Sequence, residues 1–298
     1  METSRIKEPF GDRVFNVINY LLLSAFLIIV LYPLLFIVSA SFSSSDAILS
    51  GRVWLWPVDP TLEGYQAVFG YKKIVTGFIN SFCYTLFGTF ISVVLTILAA
   101  YPLSRKDLYG KQVIMFLFVF TMLFNGGLIP NYLLVKELGM LDTRWAILIP
   151  SALSVWNMII TRTYFMMNIS DELLEAAKID GCNDFKFVWK MAVPLSTPII
   201  AVITLFYAVA QWNQFFSALI FLKDPNLYPL QLVMREILVQ NQIDLEMIND
   251  VRGAAAKAGL AELLKYALII VSTLPVLAIY PFVQKYFVKG VMIGSLKG

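Results

Sequence analysis

The stretch DELLEAAKIDGCNDFKFVWKMAVP, residues 171–194, is a polar, helix-forming segment between two long apolar runs. The runs on either side, 145–167 and 195–222, each have the length and apolar character of a membrane-spanning helix. Ser170 precedes the segment and is suited to cap a helix there, because its hydroxyl can accept a backbone N–H. Asp171 then suits the positive end of that helix. The segment therefore predicts a helical element outside the membrane, between two spans.

Two short helices are predicted within this segment. Gly181 marks the end of the first, because glycine readily adopts the left-handed conformation found after helix ends. In the second helix, the residues at i, i+3, i+4 and i+7 form one apolar face: Phe185, Val188, Trp189 and Ala192. Pro194 is expected to stop this helix and start the next span. Periodicity alone also allows an amphipathic helix on the inner membrane surface, with Lys186 and Lys190 near anionic head groups.

The composition of the 298 residues is that of a membrane protein. Apolar residues make up 59% of the chain, charged residues 14%, and the mean hydropathy is +0.74. Six stretches have roughly the 20 mostly apolar residues that a helix needs to cross a bilayer: 16–42, 78–104, 113–135, 145–167, 195–222 and 264–288. The prediction is an all-α polytopic membrane protein with six transmembrane helices.

The orientation follows from the first apolar run and from charge. That run is too long for the apolar part of a signal peptide and lacks a small-residue cleavage site, so we expect a retained helix with its N-terminus inside. Lys and Arg are then modestly enriched inside, as the positive-inside rule requires. Both termini and the 171–194 segment are predicted to be cytoplasmic. The expected parts are an N-terminal segment (1–15), a six-helix transmembrane domain (16–288, with its core at 78–288) and a C-terminal tail (289–298).

Several function classes are disfavoured by missing residue types. The chain has no histidine, which excludes a His-based catalytic triad and a histidine metal site. It has no G-x-x-x-x-G-K-[ST] phosphate loop, so any nucleotide energy must come from another chain. The six predicted spans contain no Asp or Glu, which disfavours an ion-coupled transporter. Because backbone carbonyls and hydroxyls can hold Na⁺, that class stays open.

The segment resembles the cytoplasmic loop of the membrane subunits of binding-protein-dependent ABC importers, whose pattern is E-A-A, three residues, G, nine residues, I-x-L-P. Seven residues fall on those positions, with Met for Ile and Val for Leu: Glu175, Ala176, Ala177, Gly181, Met191, Val193 and Pro194. Along the whole chain the similarity is to the carbohydrate branch, in particular to the smaller permease subunit of maltose-type and polysaccharide-fragment importers. The resemblance implies the type I ABC importer permease fold.

The resemblance also implies that helices 171–193 are coupling helices seated in a cleft of an ATPase subunit. Phe185 and Trp189 would then be anchors, and motion would pass into the fourth and fifth spans. The ATPase-coupling residues on this view are Glu175, Ala176, Ala177, Asp180, Gly181, Phe185, Trp189 and Pro194. The implied partners are a second, homologous permease subunit, two ATPase subunits, an extracytoplasmic substrate-binding protein and the lipid bilayer, with no nucleic acid. ATP and Mg would be bound by the ATPase, with no cofactor in this chain, in the plasma (inner) membrane of a prokaryote.

Polar and aromatic residues at predicted membrane depth are candidates for the substrate path, since sugar recognition uses amides and aromatic faces. They are Asn80, Asn125, Gln211, Trp212, Asn213 and Gln214. The alternative is that some of them only join helices through hydrogen bonds. In maltose-type permeases the C-terminal tail reaches the ATPase dimer, which makes Gly290, Gly294 and Gly298 candidate contacts; a frayed end is the alternative.

The sequence thus predicts a non-enzymatic permease subunit of an ATP-driven importer, forming half of the pore for oligosaccharides or polysaccharide fragments. One alternative is an ABC importer permease for a non-sugar solute. The other is an ion-coupled secondary transporter acting alone.

Overall fold

The computed structural model describes residues 9–237 and 262–279, together with Gly259 and Pro281. All regular elements in that part of the chain are helical, which confirms the predicted all-α class. The helices of the first half are α1 (Phe10–Ser41), α2 (Ser45–Leu49), α3 (Glu63–Gly70), α4 (Lys72–Ser104), α5 (Lys111–Leu123), α6 (Leu128–Glu137) and α7 (Trp145–Leu148). Those that follow are α8 (Val155–Asn168), α9 (Asp171–Ile179), α10 (Asp184–Phe187), α11 (Val193–Leu195), α12 (Thr197–Trp212), α13 (Phe216–Phe221), α14 (230–237) and α15 (Glu262–Ile279).

The chain divides into two compact units, residues 1–70 with 238–271 and residues 71–237 with 272–298. In the first unit, α1 exposes apolar side chains along most of its length and is buried only at Ser39–Ser41. Gly64 of α3 lets that helix approach α15 closely, since a Cβ there would lie 3.0 Å from the carbonyl oxygen of Leu263. A small cluster around Ala40 completes the packing of this unit.

In the second unit, α4 packs against both α8 and α12. Its buried face is rich in small and hydroxyl side chains, which allow helix backbones to approach closely in a membrane: Gly77, Ser81, Gly88, Thr89, Ser92, Thr96 and Ala100. A buried hydroxyl pair links the helices, since Thr96 Oγ1 and Tyr207 OH are 2.7 Å apart. The same Tyr207 oxygen accepts the backbone N–H of Ser154 at 3.0 Å, which ties the start of α8 to the pair. The helix α4 is therefore the central element of this unit.

Within the described residues, three helices are long and apolar enough to cross a membrane by themselves: Phe10–Ser41, Lys72–Ser104 and Glu262–Ile279. Two bent pairs pass the same test together, which raises the number to as many as five. One pair is α5 with α6, bent by 115°, and the other is Asp184–Leu195 with α12, bent by 87°. The three unbroken helices, Phe10–Ser41, Lys72–Ser104 and Glu262–Ile279, lie where the apolar stretches 16–42, 78–104 and 264–288 predicted spans.

The remaining stretches are not the continuous helices that apolar length predicted. Stretch 113–135 breaks between Leu123 and Leu128, and 195–222 breaks after Trp212. Stretch 145–167 consists of α7, an irregular connection and the 14-residue α8. Pro150 contributes to the last break, because it has no N–H to continue the hydrogen bonds of the helix. Hydropathy averages over such local breaks and does not detect them.

Candidate functional site

The segment between α8 and α12, which we call the interspan segment (Asp171–Leu195), begins as predicted. The N–H of Leu173 donates to Ser170 Oγ at 3.4 Å, so Ser170 is the cap of α9. Asp171 and Glu172 lie in the first turn, where negative charge favours the helix dipole. The predicted start of the first helix is confirmed.

Gly181 closes α9 in the left-handed conformation that the sequence predicted, with φ +75°. The N–H of Gly181 donates to the carbonyl of Lys178 at 3.0 Å, and the N–H of Cys182 donates to that of Ala177 at 2.9 Å. These two bonds are the Schellman arrangement, which satisfies carbonyls at a helix end. The chain reverses here because glycine accepts this conformation without steric cost.

The second half of the segment is less regular than predicted. It consists of α10, a π turn at Val188–Ala192 and the short α11. Asn183 caps α10 by accepting the N–H of Lys186 at 2.8 Å, a contact that the sequence analysis missed. The helical path runs through Pro194 to Leu195, one residue beyond the predicted stop, and then bends into α12.

The predicted apolar face of the second helix is partly wrong. Phe185 is 67% exposed, whereas Phe187, which was not assigned to the face, is fully buried with Val188 and Ala192. The π turn is the physical reason, because its hydrogen bonds span five residues and bring Phe187 and Ala192 to the same side.

The interspan segment rests on the end of α4 and on α8. Phe187 and Phe165 lie against the ring of Tyr101, with ring centroids 6.1 Å and 6.3 Å away. Leu174 and Ala177 of α9 are buried in the same cluster. These apolar contacts determine which side of the segment is buried against the chain and which side faces away from it.

The residues predicted to couple to an ATPase divide into a buried group and an exposed group. Ala177 is buried and Trp189 is half-buried, with its ring 6.3 Å from that of Phe185. The others are exposed: Glu175, Ala176, Asp180, Gly181, Phe185 and Pro194. Most of the set therefore lies on the accessible side of the segment, where another protein could contact it.

Charged groups meet at the start of α9. The carboxylate of Asp171 lies 3.2 Å from Nη1 of Arg105 and 2.9 Å from Nζ of Lys106, both from the turn that follows α4. The Lys106 ammonium group holds the pKa of the Asp171 carboxyl below its usual value. Arg162 of α8 donates from Nε to the carbonyl of Leu103 at 2.8 Å. It thereby satisfies a carbonyl in the last turn of α4, not one in the interspan segment.

The candidate path residues fall into different environments. Asn80 is 5% exposed, and its amide nitrogen donates to the carbonyls of Asn226 at 2.7 Å and Tyr228 at 3.1 Å. Both amide hydrogens are therefore used within the chain. This supports the alternative in which Asn80 joins parts of the chain and does not bind substrate. Asn125 and Asn213 are exposed near breaks between helices and make short-range contacts, to Gly127 and Val209.

Gln211 and Trp212 are buried where α12 approaches α4. A Cβ on Gly88 would lie 2.7 Å from the Gln211 amide group, so glycine is what admits this side chain. Among the described residues, Gln211 Oε1 and Gln214 Nε2 are buried without a hydrogen-bond partner. The Trp212 indole N–H donates to the carbonyl of Ser272 at 2.9 Å. The Gln211–Gln214 cluster is thus the one place in this set where buried amide atoms lack partners in the described part of the chain.

A groove of about 630 Å³ lies beside this cluster, between α4, α12 and the last turns of α15. Thr85, Thr89 and Trp212 line it together with apolar side chains. Within the described residues no group of three or more His, Cys, Asp or Glu is placed to hold a metal ion. Gly290, Gly294 and Gly298 lie outside the described residues.

Helices that are long and apolar enough to cross a bilayer define a membrane protein. Residues 64–293 match the family described as "Binding-protein-dependent transport system inner membrane component". The chain belongs to this family. The resemblance drawn from the 171–194 motif is therefore confirmed.

Several relatives bear names from sugar transport. The chain is 41% identical to the polygalacturonan/rhamnogalacturonan transport system permease protein YtcP of Bacillus subtilis, over 96% of this chain and 99% of the relative. It is 29% identical to the galactooligosaccharides transport system permease protein GanQ of the same organism, over 94% and 95%. A solved bacterial ABC transporter involved in the import of the acidic polysaccharide alginate contains a chain that is 37% identical, with a TM-score of 0.86 over 95% of this chain and 99% of that one.

Proposed function

We propose that the chain is one of two permease subunits of an ATP-driven importer and that the interspan segment is its coupling element for an ATPase subunit. The observation that carries this proposal is the two-sided segment: Phe187 and Leu174 are buried against the chain, while Glu175 and Phe185 point outward. A large exposed aromatic ring on a rigid hairpin is suited to anchor a partner protein. The family membership supplies the kind of partner.

The cargo that we propose is an oligosaccharide released from an acidic polysaccharide. Two of the three relatives described above carry names of such polymers, polygalacturonan/rhamnogalacturonan and alginate. The neutral galactooligosaccharides of the third relative are the competing cargo within the same class. A non-sugar solute has less support, because all three names are those of carbohydrates.

The finer arrangement is also part of the proposal. Six spans, including two bent ones and the short α8, place both termini and the interspan segment on the cytoplasmic side of the inner membrane of a prokaryote. The transmembrane domain covers 16–288, and the tail 289–298 contacts the ATPase through its glycines. A homologous permease, two ATPase subunits that bind ATP and Mg, and an extracytoplasmic binding protein complete the importer. The Gln211–Gln214 cluster contributes to the substrate path, because its Trp212 lines the groove and sugar recognition uses aromatic faces beside amides.

Replacing the exposed aromatic anchor tests the coupling element. We expect Phe185→Ala to lower the amount of ATPase that co-purifies with the tagged chain in mild detergent by about ten-fold, as loss of an interface hot spot would. The measurement is identification and quantification of the co-purified proteins from native membranes.

Phe116→Ala is the matched control, because Phe116 of α5 is 66% exposed, against 67% for Phe185, but lies outside the segment. We expect this control to retain the ATPase. Equal recovery from both variants would contradict the docking role of the segment, and a chain that purifies without any ATPase would favour an ion-coupled transporter.

A further inference from the structure

The interspan segment is attached to α4 at two separate places. One is apolar: the Tyr101 ring of α4 lies against Phe187 of α10. The other is ionic: Asp171, the first residue of α9, faces Arg105 at 3.2 Å and Lys106 at 2.9 Å. The two helices of the interspan segment therefore have separate contacts: α10 contacts the last turn of α4, and α9 contacts the turn that follows α4.

One of the two cations, Arg105, is held in place by contacts other than the one with Asp171. The Arg105 side chain is only 15% exposed and lies 3.4 Å from a carboxylate oxygen of Asp107. The Arg105 carbonyl accepts a hydrogen bond from Nζ of Lys111 at 2.9 Å, and Gly110 closes the turn with φ +74°. Because the turn is ordered by its own contacts, Arg105 presents a fixed charge to α9.

The last turns of α4 are also tied to α8. Arg162 Nε donates to the Leu103 carbonyl, and Phe165 shares the Tyr101 ring with Phe187. In its middle, α4 contains Gly88, against which the Gln211 amide packs. A displacement of the end of α4 would therefore reach the proposed substrate path through one continuous helix.

We infer that Asp171, clamped by Arg105 and Lys106, is a positioning residue that makes α4 move with the interspan segment when the ATPase moves that segment. This inference rests on the proposed function. The family resemblance implied motion into the fourth and fifth spans, and the clamp adds the second span. Without the clamp, the apolar cluster around Tyr101 still connects the segment to α4, but ATP hydrolysis becomes partly uncoupled from transport.

The test uses the full importer reconstituted in proteoliposomes. We expect Asp171→Asn to lower the amount of oligosaccharide imported per ATP hydrolysed by about two- to five-fold, the change in an equilibrium that loss of a partly exposed ion pair produces. The co-purified ATPase and its hydrolysis rate are expected to stay at wild-type levels. Asp171→Glu, which keeps the charge, should restore the ratio.

Asp184→Asn is the matched control. Asp184 begins α10 as Asp171 begins α9, but its ion pair, 3.8 Å from Lys178, lies within the interspan segment. We expect this variant to keep the wild-type ratio. Raising the salt concentration should lower the ratio for the wild type and for Asp184→Asn but not for Asp171→Asn, because salt screens an ion pair that is partly exposed.

A wild-type ratio in Asp171→Asn would overturn the inference. So would loss of the ATPase from that variant, because Asp171 would then serve docking and not positioning. A wild-type chain that recovers no ATPase refutes the proposed function instead, so the two failures are distinguishable.

Discussion

At the scale of single residues, Gly181 connects local backbone chemistry to the proposed docking. Its φ of +75° lies in the left-handed region, and no atom comes within 4 Å of the place where a Cβ would stand. A side chain there would cost backbone energy alone, about 1–2 kcal/mol for a residue other than glycine. Any effect of a substitution at Gly181 therefore reports on the turn and not on packing.

We expect Gly181→Ala to loosen the turn and to raise the hydrogen-exchange rate of the amides in 180–183 by about 5- to 30-fold, which corresponds to that cost. Gly181→Asn is expected to have a smaller effect, since asparagine tolerates the left-handed region better than alanine does. Hydrogen exchange followed by mass spectrometry checks both variants. Equal exchange in wild type and Gly181→Ala would mean that the turn is not set by glycine.

What the sequence predicted at residue scale was local. The Ser170 cap and the Gly181 turn depend on hydrogen bonds within a few residues, so composition and spacing are sufficient to identify them. The burial of Phe187 and the Asp171 clamp depend on Tyr101 and Arg105, which lie more than sixty positions away in the chain. A pattern within one helix carries no information about such partners.

At the scale of elements, the breaks between helices need contacts that hold their ends. Asp142, with φ +58°, lies in the turn before α7, and its N–H donates to the carbonyl of Phe221 at the end of α13. Its Oδ1 accepts the N–H groups of Lys223 and Asp224, each at 2.8 Å. These two backbone hydrogen bonds lower the pKa of the Asp142 carboxyl. The carboxylate thus joins two irregular connections.

The lowered pKa predicts how this joint depends on pH. The charged carboxylate stabilises the folded chain fully above the ordinary Asp pKa, and the contribution is lost as the pH falls through the lowered folded-state pKa. We expect Asp142→Asn to lower the Tm of the purified chain in detergent at pH 7, and the difference from the wild type to shrink towards pH 3. Asparagine keeps an acceptor oxygen and tolerates the positive φ, so the variant isolates the charge.

Asp59→Asn serves as its control, because Asp59 also has a positive φ, 49°, but forms an exposed ion pair with Arg52 at 3.5 Å. A smaller Tm change is expected there. A pH-independent Tm difference for Asp142→Asn would show that the carboxylate charge does not hold the joint.

The uninterrupted elements were predictable and the interrupted ones were not. The apolar length of α1 and α4 was sufficient to place them, since a long helix in lipid must satisfy its backbone internally. The 115° bend between α5 and α6 occurs in the connection that contains Gly126 and Gly127, and its angle depends on packing that the sequence does not state. The Gln211 site likewise required Gly88 from a helix more than one hundred positions earlier.

At the scale of the whole molecule, the account makes this chain half of a pore that is driven from outside the chain. Spaced residues in the interspan segment pointed to the family, and the match of residues 64–293 to the family confirmed it. Partners, cargo and direction of transport are properties of the assembly, and no residue in one chain specifies them. They are therefore tested on the assembly.

The most direct test is uptake of labelled galacturonate oligosaccharides by proteoliposomes that contain the chain with its partner permease, the ATPase subunits and the binding protein. We expect uptake to require ATP and every subunit, to persist when ionophores collapse all ion gradients, and to exceed uptake of neutral galactooligosaccharides. Uptake by the chain alone that stops when the ion gradients collapse would contradict the account and identify an ion-coupled transporter.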